Sequence, residues 1–258
     1  MPFEFDGKKY GKASAHQKEW GARLIAELDL KGDECIIDLG SGDGVLTARL
    51  AELVPDGRVV GIDASRGMIE AARERQRDNL EFRLMDINDL SLELKFDLVF
   101  SNATLHWVTD HERLFANVLN VLKDNGVVRF NFAGDGNCAN LFAVVKALMR
   151  QNKYARPFSG FAWPWYMPGI DEYRALARKC SLKETRVWPE IADRNFPNAE
   201  ALIGWLDQPS LVPFLAHLDS KVGQEFRDTV VAEMLERTRK DDGTFFETFR
   251  RINLSARK

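Results

Sequence analysis

From about residue 34 onward, short apolar runs alternate with amphipathic stretches. Glu34 to Leu39 is a brief, largely apolar run closed by glycine, the pattern of a buried strand. Val45 to Leu53 then places Leu46, Leu50 and Leu53 at helical spacing. Arg58 to Asp63 predicts a second strand, and Ser65 stands where it can cap a helix running to about Gln76. Leu80 to Met85 and Phe96 to Ser101 predict two more strands. His111 to Leu122 is helical, with Leu114, Phe115, Val118, Leu119 and Leu122 apolar, and Val127 to Phe132 is a fifth strand. This βαβαβ rhythm predicts an α/β fold: a doubly wound, mostly parallel sheet with helices on both faces.

The pattern is less regular after that. Asn140 to Met149 reads as a helix, and Ala155 to Gly169, rich in aromatics, Pro and Gly, as a loop. Asp171 to Cys180 predicts a short helix and Leu182 to Trp188 a strand. Residues 198–240 are mainly helical in pattern, broken near Pro209 and Pro213, and Phe245 to Arg257 supplies a last strand. The expectation is a single domain over residues 1–258. Its core spans about 30–190 and 245–258, and a helical lid insertion at about 198–240, before the last strand, covers the ligand cleft.

Composition narrows the class. Hydrophobic residues make up 45% and charged residues 29% of the 258, an ordinary soluble balance. A net charge of -3 gives no global electrostatic case for nucleic-acid binding. No apolar run reaches the length of a membrane span, and Met1 to Lys12 lacks the apolar stretch of a secretory signal. Cys35, Cys138 and Cys180 lie far apart, as suits reduced thiols, and none forms a metal-type pair. The expectation is a cytoplasmic protein, monomeric or weakly dimeric, without metal and with neither nucleic-acid nor membrane partners.

The most informative segment is Asp38-Leu39-Gly40-Ser41-Gly42-Asp43-Gly44, which follows a predicted strand and opens a predicted helix. Glycines here allow a tight turn and close backbone approach to a ligand. The dinucleotide fingerprint would need glycine at position 45, which is Val45, and the G-x-x-x-x-G-K-[ST] phosphate loop is absent. This turn resembles the first motif of the class I S-adenosylmethionine-dependent methyltransferases. Val60-Gly61-Ile62-Asp63, Leu84-Met85-Asp86 and Phe96-Asp97-Leu98-Val99-Phe100-Ser101-Asn102 resemble that family's next strand ends, in order and spacing. The resemblance covers roughly residues 10 to 135. It implies a Rossmann-like, seven-stranded sheet and S-adenosylmethionine as cofactor.

It also implies site residues. Asp63 would accept from both ribose hydroxyls, beside Ala64 and Met68. Asp86 would accept from the adenine amino group, with Ile87 beside the ring. Asp38, Gly40, Ser41 and Gly42 would frame the amino-acid and ribose portions, Asp38 orienting the turn or meeting the ammonium. Ser101 and Asn102 lie where the fourth strand delivers ligand groups. Asp43 reads as a solvated turn residue. The N-terminal segment 1–29, with Tyr10 to Trp20 in particular, is expected to cover the cofactor; in related enzymes such a segment contributes an aromatic and a polar side chain, for which Tyr10, His16 and Gln17 are the candidates here.

Asn102-Ala103-Thr104-Leu105-His106-Trp107 follows the fourth strand, where open α/β sheets bind ligands. His106 is a candidate general base, or a residue that orients the acceptor or lines the cleft. Phe158, Phe161, Trp163, Trp165 and Tyr166 are candidates for an apolar wall of the acceptor pocket, and equally for packing the lid against the sheet, while Trp107, a further pocket candidate, reads first as a packing residue. Gly61 to Met68, Ser101 to Trp107 and Ala201-Leu202-Ile203-Gly204-Trp205 resemble the trans-aconitate methyltransferase branch, whose members esterify a carboxylate of a small polyacid. A polyacid acceptor would call for cations: Arg129, Arg156 and Arg194 are possible anchors, each otherwise a surface residue. The expected reaction is in-line methyl transfer to a small-molecule acceptor. A non-catalytic S-adenosylmethionine-binding regulator and a nicotinamide-dependent oxidoreductase are the alternatives.

Overall fold

The alternation predicted from hydrophobic periodicity is built by the chain nearly element for element. A computed structural model describes residues 3–5, 7, 11 and 15–258. Along the chain come α1 (Ala15–Ala26), β1 (Cys35–Leu39), α2 (Val45–Leu53), β2 (Arg58–Asp63), α3 (Arg66–Ala72), β3 (Leu80–Leu84), β4 (Phe96–Asn102), α4 (His111–Val121) and β5 (Leu122–Ala133). There follow α5 (Ala139–Met149), the single turn α6 (Asn152–Ala155), α7 (Ile170–Lys179), β6 (Lys183–Ile191) and β7 (Arg194–Phe196). The last elements are α8 (Ala199–Trp205), α9 (Val212–His217), α10 (Ser220–Thr238), β8 (Phe245–Glu247) and β9 (Arg250–Arg257). Ser65 caps α3 as its position predicts, accepting from the Met68 N–H.

Seven strands form one sheet in the order β3-β2-β1-β4-β5-β9-β6. The pairs from β3 through β5 are parallel, and β9 runs antiparallel to β5. Both faces are covered, which is why the strands read as apolar runs rather than as alternation. Ile37, Val60, Val99, Val128 and Phe130 face α4 and α7 through Leu114, Phe115, Val118 and Tyr173. Ile36, Val59, Leu98 and Phe100 share the other core with Leu24, Leu50 and Ile69. The strand order reverses between β1 and β4, the crevice at which open α/β sheets take ligands.

The chain divides into two compact units. The first holds the sheet: the described residues up to Asp135, with Trp165–Glu190 and Arg251–Lys258. The second comprises Gly136–Pro164 and Ile191–Arg250. The second unit is larger than the 198–240 insertion expected from the pattern, because it also takes in α5 and the aromatic stretch. Glu247 explains part of this. Its buried carboxylate accepts from the backbone N–H groups of Asn140 and Leu141, tying the start of α5 to β8. Phe158, Phe161, Phe214 and Phe226 supply an aromatic core for this unit. The predicted last strand is also two: Phe245–Glu247 pairs with Arg194–Phe196 in a separate two-stranded sheet, and only Arg250–Arg257 joins the large one.

Candidate active site

The chain leaves β1 through the glycine turn, and the turn is anchored to β2. The Gly40 and Ser41 N–H groups both donate to the Ile62 carbonyl, at 2.8 and 2.9 Å. Gly40 has φ +79°, and a Cβ there would lie 2.1 Å from a carbon of Thr104, so only glycine fits. Thr104 closes the contact from its side, its hydroxyl donating to the Gly40 carbonyl at 3.2 Å. Gly42 differs: φ is +54°, but a Cβ would meet none of the described atoms within 4 Å. The turn is therefore packed at Gly40 and opens onto free space at Gly42.

Two carboxylates organise this end of the sheet. Asp38 is buried and accepts from the Thr47 hydroxyl at 2.7 Å. Burial pushes its pKa up to about 7; Thr47 counters the shift and the charge of Asp63 adds to it. Asp63 accepts from Gly42 N–H at 3.0 Å through Oδ2 and from Ser65 N–H at 2.9 Å through Oδ1. Burial raises its pKa as well, against those backbone bonds. Glu4 joins from the N-terminal segment, accepting from the N–H groups of Arg66 and Gly67 at the start of α3. Ala64 follows Asp63, and Met68 is buried one helical turn on. Asp86 caps the short turn Ile87–Asp89: its Oδ1 accepts from Asn88 N–H and from the Asn88 amide at 2.8 and 2.9 Å, and Ile87 is buried beside it.

At the end of β4 the roles divide. Ser101 is fully buried and its hydroxyl donates to the Leu39 carbonyl at 2.7 Å, so it ties β4 to β1. The Asn102 amide donates to the Gln17 carbonyl of α1 at 3.0 Å. Ala103 follows in the left-handed region at φ +58°, a strained conformation for a residue with a Cβ, and it turns Thr104 toward Gly40. Four buried polar atoms here have no partner among the described residues: Gln17 Oε1, Ser41 Oγ, Asn102 Oδ1 and His106 Nδ1. Buried polar groups are normally satisfied, so their clustering at the ligand end of the sheet marks a place built for something polar. Tyr10 lies outside the described residues, as does the side chain of His16.

His106 is held neutral. Burial lowers its pKa to about 3, and the charges of Arg251 and His111 push the same way. Its turn is fixed from behind by His111, which bonds the Leu105 carbonyl through Nε2 and the Tyr173 hydroxyl through Nδ1, each at 3.0 Å. Trp107 packs on Trp165 with centroids 5.1 Å apart and on Phe3 and Phe5 of the N-terminal segment. Tyr166 donates its N–H to the His106 carbonyl and its hydroxyl to Glu172. Trp107, Trp165 and Tyr166 thus belong together in the sheet unit. Trp163 belongs to the second unit, against Phe142, Phe214 and the Lys146 ammonium.

Two expectations need correction. Asp43 is not solvated: it is buried and pairs with Lys18 at 2.8 Å, a partner supplied by α1 that local reading could not foresee. Arg129 is neither a surface residue nor a free anchor. It is buried on the sheet, where Nη2 meets Glu27 at 2.7 Å and Nη1 donates to Asn253 and to the Phe130 carbonyl. Sequence reasoning also passed over Thr47, Thr104, Asn131 and Arg251. For the first two a signal existed, since a hydroxyl at helical spacing after Asp38 and another just beyond β4 both fall at the turn. For Asn131 and Arg251, brought together by β9, there was none.

Residues 30–174 match the family described as "Methyltransferase domain". The chain is 31% identical over 203 residues to the trans-aconitate 2-methyltransferase of Deinococcus radiodurans, covering 75% of each chain. It is 29% identical over 255 residues to the trans-aconitate 2-methyltransferase of Escherichia coli O1:K1, covering 95% of this chain and 94% of the other. Among solved structures it resembles Haemonchus contortus phosphoethanolamine N-methyltransferase 2 in complex with S-adenosyl-L-methionine, with TM-score 0.62 and 16% identity over 98% of this chain and 56% of the other, a likeness of fold.

Proposed function

Because the chain belongs to the class I S-adenosylmethionine-dependent methyltransferases, in the branch of the trans-aconitate 2-methyltransferases, we propose that it methylates a carboxylate oxygen of a small polyacid. The nicotinamide-dependent and non-catalytic alternatives find no support beside that membership. S-adenosylmethionine, when bound, would supply a methyl carbon activated by the adjacent sulfonium charge, open to in-line attack by the acceptor oxygen with neutral S-adenosylhomocysteine as the leaving group.

The residues present fit this cofactor. Gly42 opens onto free space where a side chain would intrude. Gln17 Oε1 and Asn102 Oδ1 are buried acceptors, and Ser41 Oγ a buried hydroxyl, as an ammonium-bearing amino-acid end requires. Each oxygen of Asp63 keeps a further lone pair for a ribose hydroxyl beyond its backbone bond. Asp86 and Ile87 would take the adenine, with Ala64 and Met68 along the way.

The observation that carries the acceptor class is His106. Burial holds this imidazole neutral and lowers its basicity, which suits an acceptor that has no proton to give up. A carboxylate arrives ionised at neutral pH and needs no base. The protein's task is then to hold two partners in line and to exclude water, for which Trp107 and Trp165 provide apolar surface. The test is to incubate the protein with methyl-labelled S-adenosylmethionine and matched panels of small polycarboxylates, alcohols and amines. Transfer to a polycarboxylate, with label released by mild alkali as expected of an ester, is the predicted result. A base-stable product from an alcohol or amine would refute it.

A further inference from the structure

We propose that His111 is a positioning residue for methyl transfer: partnered by Tyr173, it holds the turn after β4 so that His106 and Trp107 stand in place against the acceptor. The inference rests on the reading above that the acceptor lies beside this turn, and it gives a role to two buried residues that act through the turn rather than on a ligand.

The turn opens under strain. Ala103 sits at φ +58°, a conformation that persists only where the surroundings over-determine it. They do so from several elements. The Ala103 N–H donates to the Asn131 carbonyl of β5 at 2.7 Å, and the Tyr166 N–H donates to the His106 carbonyl at 2.9 Å. The Thr104 hydroxyl donates to the Gly40 carbonyl at 3.2 Å. His111, the first residue of α4, reaches back to the Leu105 carbonyl with Nε2 at 3.0 Å. Leu105 is fully buried, so nothing but protein can hold its carbonyl there.

Those contacts fix the tautomer of His111. A carbonyl can only accept, so Nε2 carries the proton. Nδ1 then accepts from the Tyr173 hydroxyl, 3.0 Å away on α7. Burial raises the Tyr173 pKa well above the usual phenol value and lowers that of His111 to about 4, so near neutral pH the hydroxyl keeps its proton and the ring stays uncharged. The rings of Phe132, Tyr166 and Tyr173 enclose the imidazole, with centroids 5.3, 4.9 and 5.4 Å from it. With both nitrogens engaged inside the protein, His111 has no proton chemistry to offer; it serves as a rigid link that donates at one end and accepts at the other. The opposite side of the same turn is the side that meets ligand. His106 keeps a buried Nδ1 without a partner among the described residues, and Trp107 packs on Trp165. Thr104 is tied to the glycine turn directly, so the cofactor side has its own support, whereas Leu105 to Trp107 depend on His111. A displacement of about 1 Å in groups that align two reactants can cost about 100-fold in rate.

The experiment compares wild type, His111→Phe, His111→Gln and Tyr173→Phe, each at a temperature where circular dichroism shows it folded. Calorimetry gives S-adenosylhomocysteine affinity, a transfer assay gives kcat and KM for trans-aconitate, and proton–nitrogen correlation spectra report the His111 ring and the Trp107 indole N–H. His111→Phe keeps an aromatic ring and removes both bonds; kcat should fall about 50-fold while KM and S-adenosylhomocysteine affinity stay within about threefold of wild type. His111→Gln again offers one donor and one acceptor, and should bring kcat back to within about fivefold of wild type. Tyr173→Phe frees Nδ1, so the ring should leave the pure Nε2–H tautomer, the Trp107 indole signal should move, and kcat should drop about fivefold. A kcat loss repaired by glutamine, with S-adenosylhomocysteine affinity intact, supports the proposal. Unchanged kcat in His111→Phe, no repair by glutamine, or a loss of S-adenosylhomocysteine affinity matching the loss in kcat overturns it. If His111→Phe does not fold, Tyr173→Phe decides: the expected drop in kcat supports the proposal and a wild-type kcat overturns it. If wild type transfers no methyl group to trans-aconitate, the acceptor reading falls and the spectra decide this one. Tautomer and indole signals that both move in Tyr173→Phe support the hold on the turn, and signals that stay overturn it.

Discussion

Two parts of the sheet unit bury charge in opposite senses. Around the glycine turn, between β1 and β2, the carboxylates are the buried Asp38 and the half-buried Asp63. Between β5 and β9 the buried groups are the guanidinium groups of Arg129 and Arg251, set among Asn131, Asn253 and Glu190. The acidic side is assembled from neighbours in sequence: Thr47 is nine residues from Asp38 and Ser65 two from Asp63. The basic side is assembled from distant parts of the chain, for Asn131 and Arg251 are 120 residues apart. A short motif thus encodes the acidic side, whereas the basic side exists only once the last strand lies beside β5.

The largest effect that would sharpen this contrast is a pH dependence of stability on the acidic side. The folded-state pKa of Asp38 is about 7, against 3.8 for the ordinary group, so the folded state holds a proton that the unfolded chain releases between those values. Stability from this group is complete below the unfolded pKa and is lost as pH rises through 7, by about 4 kcal/mol. Asp63 contributes in the same direction. Asp38→Asn removes a titrating group while keeping an acceptor for Thr47. Urea unfolding from pH 4.5 to 7.5 should therefore show a shallower fall for the variant than for wild type, and parallel curves would contradict the assignment.

Next in size is Asp63→Ala. It takes away the acceptor of two backbone N–H groups and the proposed ribose ligand together. Cofactor affinity by calorimetry should fall by about 100-fold or more, near 3 kcal/mol. A variant that is folded and binds S-adenosylmethionine like wild type would remove the acidic half from the cofactor site.

The two glycines of the turn separate packing from ligand space. Gly40→Ala puts a methyl group 2.1 Å from Thr104 in a left-handed conformation. It should cost about 3 kcal/mol in denaturant unfolding. Gly42→Ala carries the conformational penalty alone, about 1 kcal/mol, because its methyl meets no described atom. Its main effect should instead be weaker cofactor binding. Equal stability losses in the two variants would mean that the opening at Gly42 is not what distinguishes them.

The same contrast explains what could be read before folding. The strands, the helix capped by Ser65 and the turn from Asp38 to Gly44 were legible because periodicity and motif are local properties. The seven-stranded sheet followed from a resemblance resting on those local motifs. Asp43 was misjudged because its partner, Lys18, comes from a helix outside the motif. Arg129 was misjudged because an arginine in an apolar run reads as surface until Glu27 and Asn253 are known to meet it. Arg251 carried no local sign, since its meaning depends on the antiparallel insertion of β9. The split of Phe245–Arg257 into strands of two sheets was hidden for the same reason: the break at Thr248 and Phe249 is set by partners, Cys138 and Ala192, elsewhere in the chain.

The smallest expected effect concerns the histidine that follows β4. His106 would be the natural candidate for a general base, and its removal from an enzyme that needs one costs orders of magnitude in kcat. Its ring is neutral at any pH above about 3, so across pH 5.5 to 8.5 it neither gains nor loses a proton. Turnover of a carboxylate acceptor should then show no inflection from His106 in that range. His106→Ala should lower kcat by less than about tenfold, through loosened packing beside Trp107 rather than through lost proton transfer. A kcat lower by several orders of magnitude, with S-adenosylmethionine affinity intact, would mean that the acceptor arrives protonated.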